Sequence, residues 1–378
     1  MQTGFKAIYG ERSPLVTNLI LIAGVLGFLY VTLFYGVVAG ALFCVLPFVL
    51  FFTIFVIDKP KIYALVIYIA TYFFTRLSYY SDSFKPGIIF DGLLLSFMAV
   101  IIFQSLLYNN IRLRNSINIF TILSFIWLLY CFLLLFNSRG ATIDIWYQSV
   151  RWIAVYIFFI ALYVPLVVTD IKAVRVLLFT LAILTLIGVA KAFWQKYIGF
   201  DLTEKYQLYV LGKARTHIIY SGIRYFSIFT DAANFGTCMG ISVVVYISAL
   251  LYEPKRSIKI FYVIVAFFSF IAVLFSGTRS SMAVPIVGIS VIIALSKRIK
   301  IITIGGITMI VAIAFLKFTT VGNNNQYIRR MRTNFSASED ASYLVRKNNQ
   351  KIIFKYLEDK PFGIGVGVVG PNAILLHP

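Results

Sequence analysis

The chain has 378 residues, 60% of them hydrophobic and only 13% charged, with a mean hydropathy of +0.90. A soluble domain carries about a quarter of its residues as charges, so this composition excludes a soluble enzyme and indicates a protein that threads a bilayer many times. Lysine and arginine number 34 against 14 acidic residues. In a soluble chain that balance would suggest nucleic acid. Here the cations lie mainly in connectors between apolar runs, so the partners expected are membrane lipids and anionic substrates, with no nucleic acid.

Lys6 and Arg12 precede an apolar stretch from Leu15 to Val56, far longer than the roughly 7–15 residues of a signal-peptide core, so no cleavage is expected. Cys44, Cys131 and Cys238 each sit alone in an apolar run, without C-x-x-C spacing, and His217 and His377 are the two histidines. The cysteines read as membrane-core packing, and neither a metal nor a cofactor is expected.

Apolar runs of about 20 residues, the length that crosses a bilayer as a helix, fall near 15–35, 37–57, 61–76, 88–107, 117–136, 151–169, 175–194, 233–252, 259–276, 281–296 and 301–317. The expected fold class is an all-α polytopic membrane protein with about eleven transmembrane helices in this chain. The connectors alternate in charge. Lys59 with Lys61, Arg112 with Arg114, Lys172 with Arg175, then Lys255, Arg256 and Lys259, and finally Lys297, Arg298 and Lys300 mark the cytoplasmic side. The opposite short loops hold fewer cations: Arg76 and Lys85, Arg139 with Arg151 at a helix edge, and Arg279.

This alternation puts two long loops on the outer face. It divides the chain into N-terminal transmembrane helices over 1–194, a loop over 195–232, further transmembrane helices over 233–317 and a large loop over 318–378. An odd number of spans ending abruptly at "NAILLHP" suggests a truncated chain, with twelve or more helices in the full protein.

Within that plan, Asp91 in the fourth span and Lys191 near the end of the seventh each read as a buried ion-pair member or a snorkelling residue. "ARTHIIYSGIRYFSIFTDAANFG", residues 214–236, gathers Arg215, His217, Tyr220, Arg224, Tyr225 and Asp231 before an apolar span. It is either a solvated connector or a surface for a phosphate-bearing or sugar-bearing lipid. Guanidinium groups grip phosphate oxygens two at a time, and aromatic faces stack on sugars. "LFSGTRSSMAVPIVG", residues 274–288, sets Arg279 on a turn between two apolar runs. A charge at the bilayer centre costs at least about 2.5–3.5 kcal/mol, so Arg279 is an interfacial anchor or part of a polar site. Ser280 and Ser281 have no base nearby and are not nucleophile candidates.

Residues 341–358, "ASYLVRKNNQKIIFKYLE", collect Tyr343, Leu344, Ile353, Phe354 and Leu357 near one side, with Arg346, Lys347, Asn349 and Lys351 elsewhere. They predict an amphipathic helix that lies on lipid head groups or forms a lid at the membrane-side entrance of a site. "GVGVVG", residues 365–370, matches G-x-G-x-x-G literally, yet it follows a helix and runs toward Pro371, so it reads as a flexible turn and not a nucleotide loop.

"SGTRSS" opening a helix, "RYFSIFTDAANFG" entering one, and "NNQKIIFKYLEDKPFGIGVG" leading to a late histidine resemble the O-antigen ligase and O-antigen polymerase family of bacterial surface-polysaccharide assembly. The resemblance is best over 214–378. Upstream it consists of the helix count and "VRWIAVY" at Arg151. It implies a GT-C-like helical bundle in the bacterial inner membrane, with its active site on the periplasmic face. The activity implied is a metal-independent glycosyltransferase whose donor is a glycan on undecaprenyl pyrophosphate.

Polymerases of this kind transfer the glycan to a glycan acceptor in O-antigen, capsule or exopolysaccharide synthesis, and ligases transfer it to lipid A core. Other polysaccharide-assembly proteins are implied partners. Carried residue by residue, the resemblance gives Arg224 and Arg279 to the pyrophosphate, with Arg151 and Arg215 as weaker contacts and Tyr220 and Arg346 as further substrate contacts. His377 takes the role of activating the acceptor. Pro378 departs from the ligase pattern after that histidine, which tilts the reading to a polymerase. A flippase for lipid-linked glycans and a purely structural membrane protein are the competing classes; no inverted repeat stands out in the hydropathy to support a flippase.

Overall fold

The computed structural model describes residues 23, 25–30, 59–77, 86–108, 111–136, 142–219, 222–296, 299–323, 326–332, 341–358, 363 and 365–367. The chain is an all-α, polytopic membrane protein. Among the described residues six helices are long and apolar enough to cross a bilayer: Gly87–Leu107, Ile119–Phe136, Ile143–Val167, Ile171–Tyr197, Ala232–Tyr252 and Arg256–Ser276. Pro60–Phe73 and Arg279–Leu295 are shorter apolar helices. The expected spans at 15–35 and 37–57, and with them Cys44, fall almost wholly outside the described residues.

The helices are labelled α1 (Pro60–Leu77), α2 (Pro86–Phe103), α3 (Ile119–Leu133), α4 (Ile143–Val167), α5 (Ile171–Tyr197), α6 (Ala232–Tyr252), α7 (Arg256–Ser276), α8 (Arg279–Leu295), α9 (Ile299–Phe318), α10 (Gln326–Arg332) and α11 (Ala341–Glu358). The chain forms two compact units, residues 1–63 with 97–111, and residues 64–96 with 112–378. In the first, Tyr63 packs edge-on against Phe97 with ring centroids 5.6 Å apart. Every contact below lies within the second.

Several boundaries follow from side-chain caps. Asn118 accepts from the Thr121 amide, Asp170 from Ala173, and Asp231 from both Ala233 and Asn234, so α3, α5 and α6 begin where a short polar side chain satisfies the first free amides. The Asp170 cap starts α5 at Ile171, where hydropathy alone predicts 175.

A larger correction concerns Arg151. It is not at a helix edge. The helix begins at Ile143 and passes through a π-helical turn, Arg151–Val155, before continuing to Val167. An arginine is tolerated mid-span because Asp91 on α2 lies 2.9 Å from its Nε, and the Tyr156 hydroxyl accepts from its Nη2 at 3.0 Å. Tyr147 and Tyr156 donate to the same carboxylate at 2.9 and 2.8 Å. Asp91 is therefore an ion-pair member and not a snorkelling residue. The wider turn also leaves the Ile153 carbonyl to accept from Trp127 of α3 at 3.1 Å.

Helices α5 to α8 build the core that carries the 195–232 loop. α6 crosses α8 through small residues: a Cβ at Gly236 would lie 2.3 Å from the Ser276 hydroxyl and 2.6 Å from that of Ser281, and one at Gly240 would press on Pro285. Such close backbone approach is how helices associate where no water drives them together. Around this crossing Val189, Ala192, Tyr225, Phe235, Met239 and Phe275 form a buried cluster. Cys131 is buried and Cys238 half-buried, in keeping with packing roles.

The stretch 195–232 is not a plain connector. α5 extends to Tyr197, a capping box joins Asp201 and Glu204, and a two-residue antiparallel ladder pairs Ile218 with Ile223 and Ile219 with Gly222. α11 forms over the expected residues, Ala341–Glu358. Among the described residues of its apolar side, Leu344, Ile353, Phe354 and Leu357 are exposed. The glycine-rich turn docks instead of hanging free. Val366 is buried with Cys131, Trp146 and Val150, and Gly367, at φ 88°, sits where a side chain would strike Ser149 and Ile145.

Candidate functional site

Arg279 is positioned by the turn between α7 and α8. Gly277 closes α7 in the left-handed region at φ 56°, a conformation that costs a side-chain-bearing residue. A chain of hydroxyls then pins the turn: Ser276 lies 2.9 Å from Thr278, Thr278 lies 2.6 Å from Ser281, and Ser281 donates to the Ala233 carbonyl of α6 at 3.2 Å. The serines of "SGTRSS" thus fix the backbone from which Arg279 projects. Arg279 lines a pocket of about 230 Å³, open side included, with Val273, Leu274, Gly277, Thr278, Met282 and Tyr327.

Arg224 arrives from the other loop. Its amide donates to the His217 carbonyl at 2.8 Å, and the next amide, Tyr225, donates to the Phe275 carbonyl at 3.1 Å, tying the loop to the end of α7. Half-buried, Arg224 bonds the Thr216 carbonyl at 3.4 Å through Nη1, while its Nε is buried without a partner among the described residues. Burial pushes its pKa below the usual guanidinium value, and the neighbouring positive charge of Arg279 pushes it the same way. The two guanidinium groups therefore share one electrostatic environment.

What holds this loop is Gln195 on α5, 2% exposed. Its carbonyl oxygen accepts from the Phe226 and Ser227 amides at 3.2 and 2.8 Å, and its amide nitrogen donates to the Ser227 carbonyl at 3.1 Å and to Glu204 at 2.9 Å. Ser227 is in the left-handed region at φ 56°. A strained non-glycine residue persists where its surroundings over-determine it, and four hydrogen bonds from one side chain do so here. Lys191 completes the support, 2.9 Å from Asp201 and 3.3 Å from Glu204, and is an ion-pair member.

The other expected site residues are distributed differently. Arg215 is exposed on a short turn, Ala214–His217, and Arg346 is exposed on α11. Arg151 is engaged by Asp91. Tyr220 and His377 lie outside the described residues. His217 is 2% exposed and packs on Phe226 with ring centroids 4.5 Å apart; burial pushes its pKa down, so it stands as a neutral support under Arg224. Sequence reading missed Gln195, Tyr327 and Lys196. The one sequence signal available was a second lysine and a glutamine following Lys191 at the outer end of a span.

Residues 264–377 match the family described as O-antigen ligase. Over that segment the chain is similar to the O-antigen ligase family. The matched segment holds the C-terminal part of α7, the Arg279 turn and all of α8 to α11, and it falls within the 214–378 stretch that carries the resemblance. Lys196, Gln195 and Arg224 lie before it. No curated protein and no solved structure matches the chain. The match supports a role for the protein in O-antigen or related glycan processing.

Proposed function

We propose that the protein is a polymerase of lipid-linked oligosaccharide repeat units. It transfers glycan from undecaprenyl pyrophosphate to a glycan acceptor in O-antigen, capsule or exopolysaccharide synthesis, on the periplasmic face of the bacterial inner membrane. A GT-C-like bundle with its outer loops at 195–232 and 318–378 is part of this reading. The observation that carries it is the pairing of Arg224 with Arg279: two half-buried guanidinium groups, with the positive charge of Arg279 disfavouring that of Arg224. Such an arrangement is relieved by a polyanion, and a diphosphate offers several oxygens to two planar donor forks.

The chemistry follows. The bond between the sugar anomeric carbon and the diphosphate oxygen breaks, its electron pair leaving with the diphosphate, while an acceptor hydroxyl forms the new glycosidic bond and gives up its proton. Fixed guanidinium groups stabilise the charge growing on the leaving oxygen. Arg215, Tyr220 and Arg346 are proposed as further substrate contacts, with Arg151 left as a brace engaged by Asp91, and His377 is proposed to take the acceptor proton, a task suited to imidazole near neutral pH.

A ligase reading, with lipid A core as acceptor, is favoured by the description of the matched family. Deleting the gene and analysing surface and lipid-linked glycan separates the two. A polymerase mutant leaves single repeat units where polymer was. A ligase mutant accumulates full-length glycan on the lipid carrier. Orientation is tested by single cysteines at Ser257 and Asp340: from outside intact cells only the Asp340→Cys protein should label, and labelling at 257 alone would reverse the topology.

A further inference from the structure

Lys196 sits in the last turn of α5, and its ammonium lies 3.9 Å from the ring centroid of Phe275, 4.9 Å from Tyr327 and 5.2 Å from Tyr197. Among the described residues no carboxylate is within ion-pair distance of it, whereas Lys191, five positions earlier on the same helix, has two. Ring faces attract a cation, but they supply no lone pair for the three N–H donors of an ammonium. The cage therefore holds the charge in place, keeps water from part of it and leaves donors over.

The cage walls belong to the arginine site. Tyr327 lines the Arg279 pocket, and the Phe275 carbonyl anchors the amide beside Arg224. Phe275 and Tyr327 also pack on each other with centroids 5.8 Å apart. Tyr327 thus joins the Lys196 cage to the pocket that Arg279 lines, and the Phe275 backbone joins it to the loop that carries Arg224.

We propose that Lys196 is a third cation of the Arg224–Arg279 site and binds a phosphate-bearing ligand there, an inference that rests on the diphosphate-donor reading above. A diphosphate spreads its charge over several oxygens, so three separated donors grip it better than two. The aromatic cage supplies the preorganisation: the ammonium is already partly desolvated and need not be gathered from solvent when the anion arrives.

The test uses the full chain in nanodiscs of zwitterionic lipid, with undecaprenyl diphosphate and inorganic pyrophosphate as probes. Lys196→Met is expected to bind both about tenfold more weakly and with a shallower salt dependence, while its unfolding temperature matches wild type. Lys196→Arg is expected to recover most of the affinity and the salt slope, which a merely structural role would not produce. Lys196→Gln replaces the Met variant if that one melts early. Adding phosphatidylglycerol to the discs identifies the source of the phosphate. A ligand on the lipid carrier resists that competitor, and a head-group ligand is displaced by it; either result supports the site. Wild-type binding of both probes by the neutral variants, with Arg279→Ala weakened, overturns the role of Lys196 and leaves the arginine site standing. Failure of wild type to bind either probe overturns the diphosphate reading and this inference together.

Discussion

Two arginines withdrawn from solvent have opposite surroundings in this protein. Arg151, in the middle of α4, faces the Asp91 carboxylate at 2.9 Å and the Tyr156 hydroxyl at 3.0 Å. Arg224 has a buried Nε without a partner among the described residues, and its charged neighbour is another cation, Arg279. The first arrangement neutralises a charge that must lie inside the membrane. The second sets one half-buried cation beside another. Burial by itself does not mark a binding residue; the sign of the neighbouring charge separates an internal brace from a place prepared for an anion.

The comparison breaks most visibly at Asp91. Asp91→Ala leaves the Arg151 guanidinium buried without its counter-charge, which typically costs about 3–5 kcal/mol. The expected outcome is a loss of folded protein from membranes and a large fall in unfolding temperature, largely recovered when Arg151→Met is added. An unchanged unfolding temperature for Asp91→Ala would remove the contrast between the two regions.

Replacing Arg224 or Arg279 with Ala should act on the reaction and not on the fold. The expected loss is about 2.7–4 kcal/mol of barrier stabilisation, as for other preorganised charge stabilisers, read as shortened glycan at normal membrane abundance. Lysine should restore little, since a point charge lacks the planar fork. Removing one of two like charges should leave stability equal or slightly raised, the reverse of the Asp91 result. Normal glycan from Arg279→Ala at normal abundance would return that residue to an anchor.

Gln195→Ala links the regions, because it frees the strained turn that carries Arg224. Unsatisfied buried amides at Phe226 and Ser227 should cost about 1–3 kcal/mol, with activity falling further than stability alone explains. Equal loss of both would make Gln195 a fold residue only.

The smallest effect is expected from His217. Its pKa is lowered by burial, so the fold disfavours its charged form. Its contribution to stability is complete above the ordinary histidine value of about 6.5 and declines as pH falls below it toward the depressed folded value. Unfolding temperature should fall with acidification through that window in wild type, and less steeply in His217→Leu.

Sequence alone determined the membrane class, the approximate position of most of the described spans, α11 to the residue and the place of the Arg279 turn between two helices. Each of these is written in neighbouring residues: hydropathy summed along a run, a cap beside its helix, a Gly-Thr-Arg-Ser-Ser turn between apolar stretches. Tertiary structure decided everything that depends on how a helix is rotated about its own axis. Asp91 meets Arg151 across 60 positions, Gln195 meets Ser227 across 32, and Lys196 finds the rings of Phe275 and Tyr327 from helices far along the chain. Membrane helices that are apolar all round carry no stripe to declare which face turns inward. Their rotation is set by small-residue contacts such as Gly236 against Ser276 and by buried hydrogen bonds, which exist only once the helices have packed.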